Sequence, residues 1–263
     1  MIAAVRTLFG KGKKTEPEPR LWQRDRLEIA ADDTVVYAIG DVHGCLRELL
    51  AAEERIVADA ATLAVKRRII LLLGDLIDRG PQSADVLDHV TGPSPRGFER
   101  MALCGNHDDT LLAFIDDPGA NEGWLEFGGV ETMRSYGMDV ERLLRQRKGL
   151  ANLGSVLRET VPERHIAYLS ALPVSVRFGN TLFVHAGVRP GVALDDQEDE
   201  DFMWIREPFM SVDHGLGLTV VHGHTPAKDP VFVPGRIGID TGAYATGRLT
   251  VLRIFHNEAA IID

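Results

Sequence analysis

Five consecutive aliphatic residues at positions 69–73 (IILLL) constrain the fold of this chain more than any other stretch. A run of this length without a polar residue predicts a strand that is buried on both faces. The run continues into the loop Gly74-Asp75-Leu76-Ile77-Asp78-Arg79-Gly80. In α/β sheets, ligands and metal ions bind at the carboxyl ends of strands, where this loop places two acids and an arginine. Placing three charges there for structure alone is costly, so the loop predicts a functional site.

Two other segments repeat this arrangement of a strand followed by a glycine-containing polar loop. Residues 34–39 are β-branched and aromatic and enter Gly40-Asp41-Val42-His43-Gly44, and residues 99–104 enter Gly105-Asn106-His107-Asp108. Residues 46–62 have apolar side chains at a helical period, and a shorter helical pattern follows at 84–90. The first part of the folded chain therefore reads β-α-β-α-β, which indicates an α/β sheet.

The remainder divides into a tail, a helical middle and a second set of strands. Residues 1–26, with the linker-like sequence TEPEPR, are predicted to be a flexible tail before a catalytic domain at 27–263. Residues 109–172 have helical patterns and predict a mostly helical insert. Gly179-Asn180 between two apolar runs predicts a hairpin. The expected later strands are 174–178, 181–184, 218–221, 231–233, 236–240 and 248–255.

Composition excludes several classes of function. The chain has 263 residues and a formal charge of −10, so a surface that binds nucleic acid is not expected. No apolar stretch reaches the roughly 18 residues that span a bilayer, so we expect no stable membrane association. Two cysteines, Cys45 and Cys104, do not make a disulfide framework, and a reduced cytoplasmic location is expected. Composition does not predict an oligomeric state.

Oxygen and nitrogen donors recur in the loops that follow the strands. Carboxylate, amide and imidazole donors without thiolate favour Mn, Fe or Zn. Six donors exceed what one catalytic ion with open positions would use, so two divalent ions that share Asp75 fit better, spaced roughly 3.5–4 Å apart. The candidate metal ligands are Asp41, His43, Asp75, Asn106, His185 and His224.

Five short motifs occur in one order along the chain: GDVHG, GDLIDRG, GNHD, HAG and GHT. Together they resemble the metallophosphoesterase superfamily, over about residues 34–256. The DRG sequence and GNHD resemble its PPP-type branch, particularly the bacterial and phage serine/threonine phosphatases. The resemblance implies a four-layer α/β/β/α sandwich of two mixed sheets with a helical insertion. The site would lie at the carboxyl ends of the central strands.

The resemblance also assigns roles to the residues of these motifs. Asp41, His43 and Asp75 would hold the first metal, and Asp75, Asn106, His185 and His224 the second. His107 would be the acid that protonates the leaving oxygen, and Asp78 would orient it. A water activated by the metals would attack phosphorus in line. The implied phosphate-binding residues are Arg79, Arg206, Asn106 and Tyr244, with Arg189 as a weaker alternative to Arg206.

Three functions are open on the sequence alone. The first is a serine/threonine protein phosphatase acting on phosphorylated proteins or peptides, with Mn the expected metal. The second is a diadenosine polyphosphate hydrolase, for which Trp124, Phe127 and Tyr136 could stack on bases; small phosphoesters or nucleotides would then be the substrates. The third is a scaffold that has kept the fold and lost the chemistry, although the intact donor set argues against it. His222 is either an orienting residue or an ordinary strand-end histidine.

Overall fold

The computed structural model describes residues 23–146 and 149–262. Most of the predicted tail lies outside the described residues, but its last part does not. The buried Arg24 guanidinium donates to the carbonyl oxygens of Leu169 (3.1 Å) and Leu172 (3.0 Å) and to the Asp109 carboxylate (2.8 Å). The first strand begins at Arg26. The first strand thus begins one residue before the predicted domain start at residue 27.

The described residues form eleven strands and nine α-helices. The strands are β1 (Arg26–Ile29), β2 (Thr34–Ile39), β3 (Arg67–Leu72), β4 (Glu99–Ala102), β5 (Ser175–Phe178), β6 (Thr181–Val184), β7 (Thr219–His222), β8 (Val231–Val233), β9 (Arg236–Gly238), β10 (Val251–Phe255) and β11 (Glu258–Ile261). The helices are α1 (Leu46–Ala60), α2 (Ser83–Thr91), α3 (Asn106–Asp116), α4 (Val130–Ser135), α5 (Val140–Leu144), α6 (Gly149–Thr160), α7 (Glu163–Ser170), α8 (Asp199–Trp204) and α9 (Ala243–Thr246).

Both sheets contain parallel and antiparallel pairs. One has the order β11-β10-β2-β3-β4, in which β2, β3 and β4 are parallel and β10 runs antiparallel to β2. The other has the order β1-β5-β6-β7-β9-β8, in which β6, β7 and β9 are parallel. The predicted hairpin at Gly179-Asn180 is the antiparallel connection between β5 and β6. The parallel strands of each sheet therefore end on a common edge, where their loops can meet.

Alternate residues of each central strand pack on opposite sides of the sheet. Val36 and Leu71 of one sheet share an apolar core with Phe183 and Val221 of the other. Tyr37, the neighbour of Val36, lies on the outer side and donates from its hydroxyl to Asp59 of α1 at 2.6 Å. The two sheets thus pack face to face with helices outside. The predicted sandwich of two mixed sheets is confirmed.

The segment between β4 and β5 contains helices and no strand among its described residues. Helices α3 to α7 follow one another there, with a π-helical turn at Leu125–Gly129 before α4. Helix α3 contacts both α6 and α7, so these helices form a unit attached to the carboxyl end of β4. None of the helices in the described part of the chain is long and apolar enough to cross a bilayer.

A buried ion-pair network ties α1 and α2 to β4. Glu53 accepts hydrogen bonds from His89 (3.0 Å) and from the Arg100 guanidinium (2.8 Å). The Glu53 and Arg100 side chains are only 8% and 2% exposed. Burial opposes ionisation of Glu53, but the hydrogen bond from His89 and the charge of Arg100 outweigh it and lower the pKa below its ordinary 4.5.

Glu53→Gln is expected to lower the free energy of unfolding by about 3 kcal/mol at pH 7, because it leaves a buried guanidinium without its partner. Since the folded pKa of Glu53 is depressed, its contribution is complete above pH 4.5 and falls as the pH drops through the folded value. Urea unfolding at pH 7 and pH 3.5 measures both effects. Glu99→Gln, which breaks the exposed pair with Arg67, is the control and should cost under about 1 kcal/mol. Equal costs for both variants would contradict the prediction.

Candidate active site

The loops after β2, β3, β4, β6 and β7 meet at one edge of the sandwich. The amide of His43 donates to the carbonyl oxygen of Asp75 at 2.7 Å. His185 Nδ1 lies 2.8 Å from the carbonyl oxygen of Leu73, and the Gly223 amide donates to the carbonyl oxygen of His185 at 2.8 Å. Loops from both sheets are thus hydrogen-bonded to one another. The structure brings together all the residues that the sequence singles out as candidate metal ligands.

Several of these residues have a strained backbone. Five non-glycine residues at the site have φ between 44° and 71°, a region that costs energy for side chains with a Cβ. Such residues persist only where the surrounding structure holds them in place, and they cluster at active sites. The five are His43, Asp75, Asp78, Arg79 and His224.

One group of donors surrounds Asn106 at the start of α3. The side-chain oxygen of Asn106 lies 3.0 Å from His185 Nε2 and 2.9 Å from His224 Nδ1. His185 Nε2 is also 3.4 Å from Asp75 Oδ1. Because Nδ1 of His185 donates to a backbone carbonyl, its Nε2 lone pair is available to a cation. These donors are the four predicted for the second metal.

A second group of donors shares Asp75. His43 Nε2 lies 3.5 Å from Asp75 Oδ2, while its Nδ1 faces the carbonyl oxygen of Ile77 at 2.9 Å. The donor atoms of His43, Asp75 and His107 lie within 4.8 Å of one another. Asp41 is not in this close group; its Oδ2 accepts from the His224 amide at 3.0 Å. Asp75 is therefore common to both groups, as expected of a shared ligand.

Asp240, the last residue of the expected strand 236–240 and not among the candidate metal ligands, is part of the site. Burial raises the pKa of Asp41, and the nearby carboxylates of Asp240 and Asp75 raise it further. The pKa of Asp240 is also raised by burial, although its Oδ1 accepts from the Gly242 amide at 2.8 Å. Asp41 Oδ1 and Asp240 Oδ2 are buried and have no hydrogen-bond partner among the described residues. Cations would satisfy these oxygens, so the residues present fit divalent metals.

Asp240→Asn is expected to weaken binding of Mn²⁺ by 10–100-fold, because it removes one of the negative charges that face the cation positions. Isothermal titration of the metal-free protein measures the effect directly. Asp229→Asn is the control, because Asp229 is exposed and pairs with Arg248. Unchanged Mn²⁺ affinity in Asp240→Asn would show that this carboxylate does not contribute to the metal positions.

A carboxylate holds His107 from behind. His107 Nδ1 lies 2.8 Å from Asp78 Oδ2, which also accepts from Trp124 Nε1 at 2.9 Å. Asp78 Oδ1 accepts from the Thr132 hydroxyl at 2.6 Å. His107 Nε2 has no hydrogen-bond partner among the described residues and lies 3.9 Å from Asp75 Oδ2. His107 is close enough to the donors to be a ligand, and its pairing with Asp78 through Nδ1 turns Nε2 toward the site.

Three of the four predicted phosphate-binding residues lie at the rim, and the fourth, Asn106, is buried in the group of donors described above. Arg79 NH1 is 2.9 Å from His43 Nε2, and its guanidinium lies 5.0 Å from the centre of the Tyr244 ring. Tyr244 is 42% exposed. Arg206 is exposed and donates to the carbonyl oxygen of His224 at 3.3 Å. Arg189 is instead paired twice with Asp201, at 2.6 and 2.8 Å, which makes it less suited to a substrate.

Two other predicted residues have supporting contacts. Asp108 accepts from the amides of Leu76 and Gly105, both at 3.0 Å, and so ties the loop after β3 to the loop after β4. His222 Nδ1 lies 3.0 Å from the carbonyl oxygen of Gly223, and its ring packs edge-on against Phe209. Burial lowers the pKa of His222 to about 4, which keeps it neutral. These contacts favour a structural role for His222.

The site combines clustered carboxylate, amide and imidazole donors with a histidine that is paired to a carboxylate and with arginines at the rim. This combination is typical of a metal-dependent phosphoesterase. Residues 34–257 match the family described as calcineurin-like phosphoesterases. The chain belongs to this family and is a metallophosphoesterase.

The chain is also similar to individual proteins. It is 27% identical over 234 residues to the asymmetrical bis(5'-nucleosyl)-tetraphosphatase PrpE of Bacillus subtilis (strain 168), covering 82% of this chain and 88% of that one. A solved putative diadenosine tetraphosphatase is 21% identical with a TM-score of 0.63, covering 91% of this chain and 97% of that one. The cold-active protein-tyrosine phosphatase of a psychrophilic Shewanella species is 16% identical with a TM-score of 0.56, covering 92% and 83%. The two structural similarities establish the fold alone.

Proposed function

We propose that this protein hydrolyses dinucleoside polyphosphates at the site described above. The observation that carries the proposal is the similarity to the Bacillus subtilis tetraphosphatase over 88% of that protein's length. The site supports it chemically, because the donor groups, His107 and the rim arginines supply what the hydrolysis of a phosphoanhydride requires. The sequence motifs favoured a protein phosphatase, and the relatives favour the nucleotide substrate instead.

One divalent cation would be held by Asp41, His43 and Asp75. The other would be held by Asp75 together with a second set of donors, Asn106, His185 and His224. When bound, the cations would supply Lewis acidity at the phosphoryl oxygens and would lower the pKa of water from about 15.7 toward ~7. We propose Mn, with Fe and Zn as the other metals that suit this donor set.

The chain's own residues would bind the phosphate and move one proton. Arg79 and Arg206 are placed to bind phosphoryl oxygens through their planar guanidinium groups, with Tyr244 beside Arg79. The oxygen of a water molecule forms a bond to phosphorus while the bond from phosphorus to the bridging oxygen breaks. His107 gives its Nε2 proton to the departing oxygen, and the water releases a proton to solvent. Asp78 keeps the imidazole oriented throughout.

A serine/threonine protein phosphatase is the second candidate. The observation that favours it is the DRG sequence, in which Asp78 is hydrogen-bonded to His107 and Arg79 lies beside His43. The open rim around Tyr244 could also admit a peptide. A serine alkoxide is a strongly basic leaving group, so this reaction would depend on His107 more than anhydride cleavage does.

A substrate panel with saturating Mn²⁺ distinguishes the two candidates. The panel contains diadenosine tetraphosphate and peptides bearing phosphoserine, phosphothreonine or phosphotyrosine. We expect kcat/KM to be highest for the dinucleotide, with AMP and ATP as the products resolved by chromatography. A higher kcat/KM for a phosphopeptide, or no turnover of the dinucleotide, would reject the proposal.

A further inference from the structure

We infer that Phe127 and Trp204 form the surface that binds a nucleobase of the substrate. This inference rests on the proposed function and adds the position of the base. Phe127 is 37% exposed and its ring stacks on that of His107, with centroids 4.5 Å apart and an interplanar angle of 23°. The ring of the half-buried Trp204 lies 6.0 Å from that of Phe127. The rings of Phe127 and Trp204 thus lie one after the other beside the His107 imidazole.

The structure holds Phe127 in this position from behind. Phe127 belongs to the segment Leu125–Gly129, where the helical backbone is interrupted by a kink. The next residue, Gly128, has φ 120° and accepts a hydrogen bond on its carbonyl oxygen from the Arg79 amide at 3.3 Å. A Cβ at Gly128 would lie 2.6 Å from the Arg79 nitrogen, so the turn can dock this closely only without a side chain. Phe127 is therefore a fixed aromatic surface.

The other two aromatic residues that the sequence suggested for base stacking, Trp124 and Tyr136, do not offer such a surface. Trp124 is 1% exposed, and its indole nitrogen is bonded to Asp78. The Tyr136 hydroxyl is 2.9 Å from Nδ1 of His165, whose other ring nitrogen pairs with Asp88 rather than with a residue of the site. The sequence-based suggestion that both could stack on bases is therefore wrong for Trp124 and unsupported for Tyr136. Only Phe127 of the three contacts a residue of the site through an exposed ring.

The position of this surface fits a nucleobase on the leaving-group side. His107 protonates the departing oxygen, so the group attached to that oxygen leaves past the ring that covers His107. Arg206 lies two residues after Trp204 and donates to the carbonyl oxygen of His224 at 3.3 Å, so a cation that suits phosphates lies close in the chain to this aromatic surface and touches a loop of the site. Stacking on aromatic rings contributes about 1–3 kcal/mol per base and tolerates every base. We therefore expect little preference among bases.

Phe127→Leu and Trp204→Leu test the inference, because leucine keeps an apolar contact and removes the aromatic face. The KM for diadenosine tetraphosphate and the inhibition constant of inorganic tetraphosphate are measured at fixed free Mn²⁺. We expect KM to rise about tenfold in each variant, as loss of one stacked base implies. The inhibition constant of the base-free polyphosphate should change by less than about twofold. Phe232→Leu, at an exposed phenylalanine on the edge strand β8, is the control.

Other outcomes overturn the inference in distinguishable ways. If Phe127 only positions His107, kcat falls in Phe127→Leu while KM stays as in the wild type. If the KM for diadenosine tetraphosphate and the inhibition constant of inorganic tetraphosphate rise by the same factor, the two rings do not recognise the base. If the wild type turns over phosphopeptides and not the dinucleotide, the proposed function fails and the base site fails with it.

Discussion

Asp75→Asn is expected to reduce Mn²⁺-supported hydrolysis of every substrate by about 10³-fold or more. Asp75 belongs to both groups of donors, with its two oxygens 3.4 Å from His185 and 3.5 Å from His43. The metals' electrostatic contribution is worth several kcal/mol, and each 1.36 kcal/mol changes the rate tenfold. Steady-state rates with p-nitrophenyl phosphate and elemental analysis of bound metal measure the effect.

The asparagine variant should remain folded. Asp75 has φ 49°, and asparagine adopts this left-handed region more readily than most residues. The side-chain oxygen of asparagine can still accept from the His107 amide, as Asp75 Oδ1 does at 3.0 Å. Circular dichroism with EDTA present checks the fold. Asp85→Asn, at an exposed acid on α2, is the matched control. Activity within tenfold of the wild type in Asp75→Asn would refute the shared-ligand role.

His107→Asn is expected to slow hydrolysis by an amount that depends on the leaving group. Loss of a general acid typically costs 10²–10⁴-fold, and the cost is largest where the departing oxygen is most basic. Phenyl phosphate should therefore lose about 10²–10⁴-fold in kcat, and p-nitrophenyl phosphate much less, because nitrophenolate is a weaker base. Asp78→Asn should also lower kcat more for phenyl phosphate than for p-nitrophenyl phosphate, but by smaller factors, since it removes the partner that orients the imidazole.

The comparison of the two phosphates separates an acid from a metal ligand. A metal ligand would affect both leaving groups by the same factor and would lower the bound metal. His256→Asn is the matched control, because His256 is exposed and its φ of 50° suits asparagine. Equal losses on the two phosphates would contradict the acid role of His107.

The central strands were predictable because burial on both faces leaves an apolar run in the sequence. Strands β2 and β3 are examples, and their loops could be assigned with them. Strands β1 and β11 were not predicted, because their sequences, RLEI and EAAI, each contain only one β-branched residue. Backbone pairing with a single neighbouring strand defines both of them.

The candidate site was predictable where a motif directly follows a strand, and less so where it depends on contacts between sheets. Asp41 follows β2 of one sheet and Asp240 follows β9 of the other, so no spacing along the chain indicates that their carboxylates face each other. The hydrogen bonds from Trp124 and Thr132 to Asp78 likewise join the insert to the loop after β3. Only the folded chain shows these partners.

The contacts of Asp78 divide the chemistry between two parts of the chain. The candidate metal ligands are carried mainly by the strand-end loops, whereas the carboxylate behind His107 is held by Trp124 and Thr132 of the insert. The partner of the proposed acid is thus supported by a region that does not contain the candidate cation donors. We therefore expect substitutions of Trp124 or Thr132 to change turnover while the metal content stays constant.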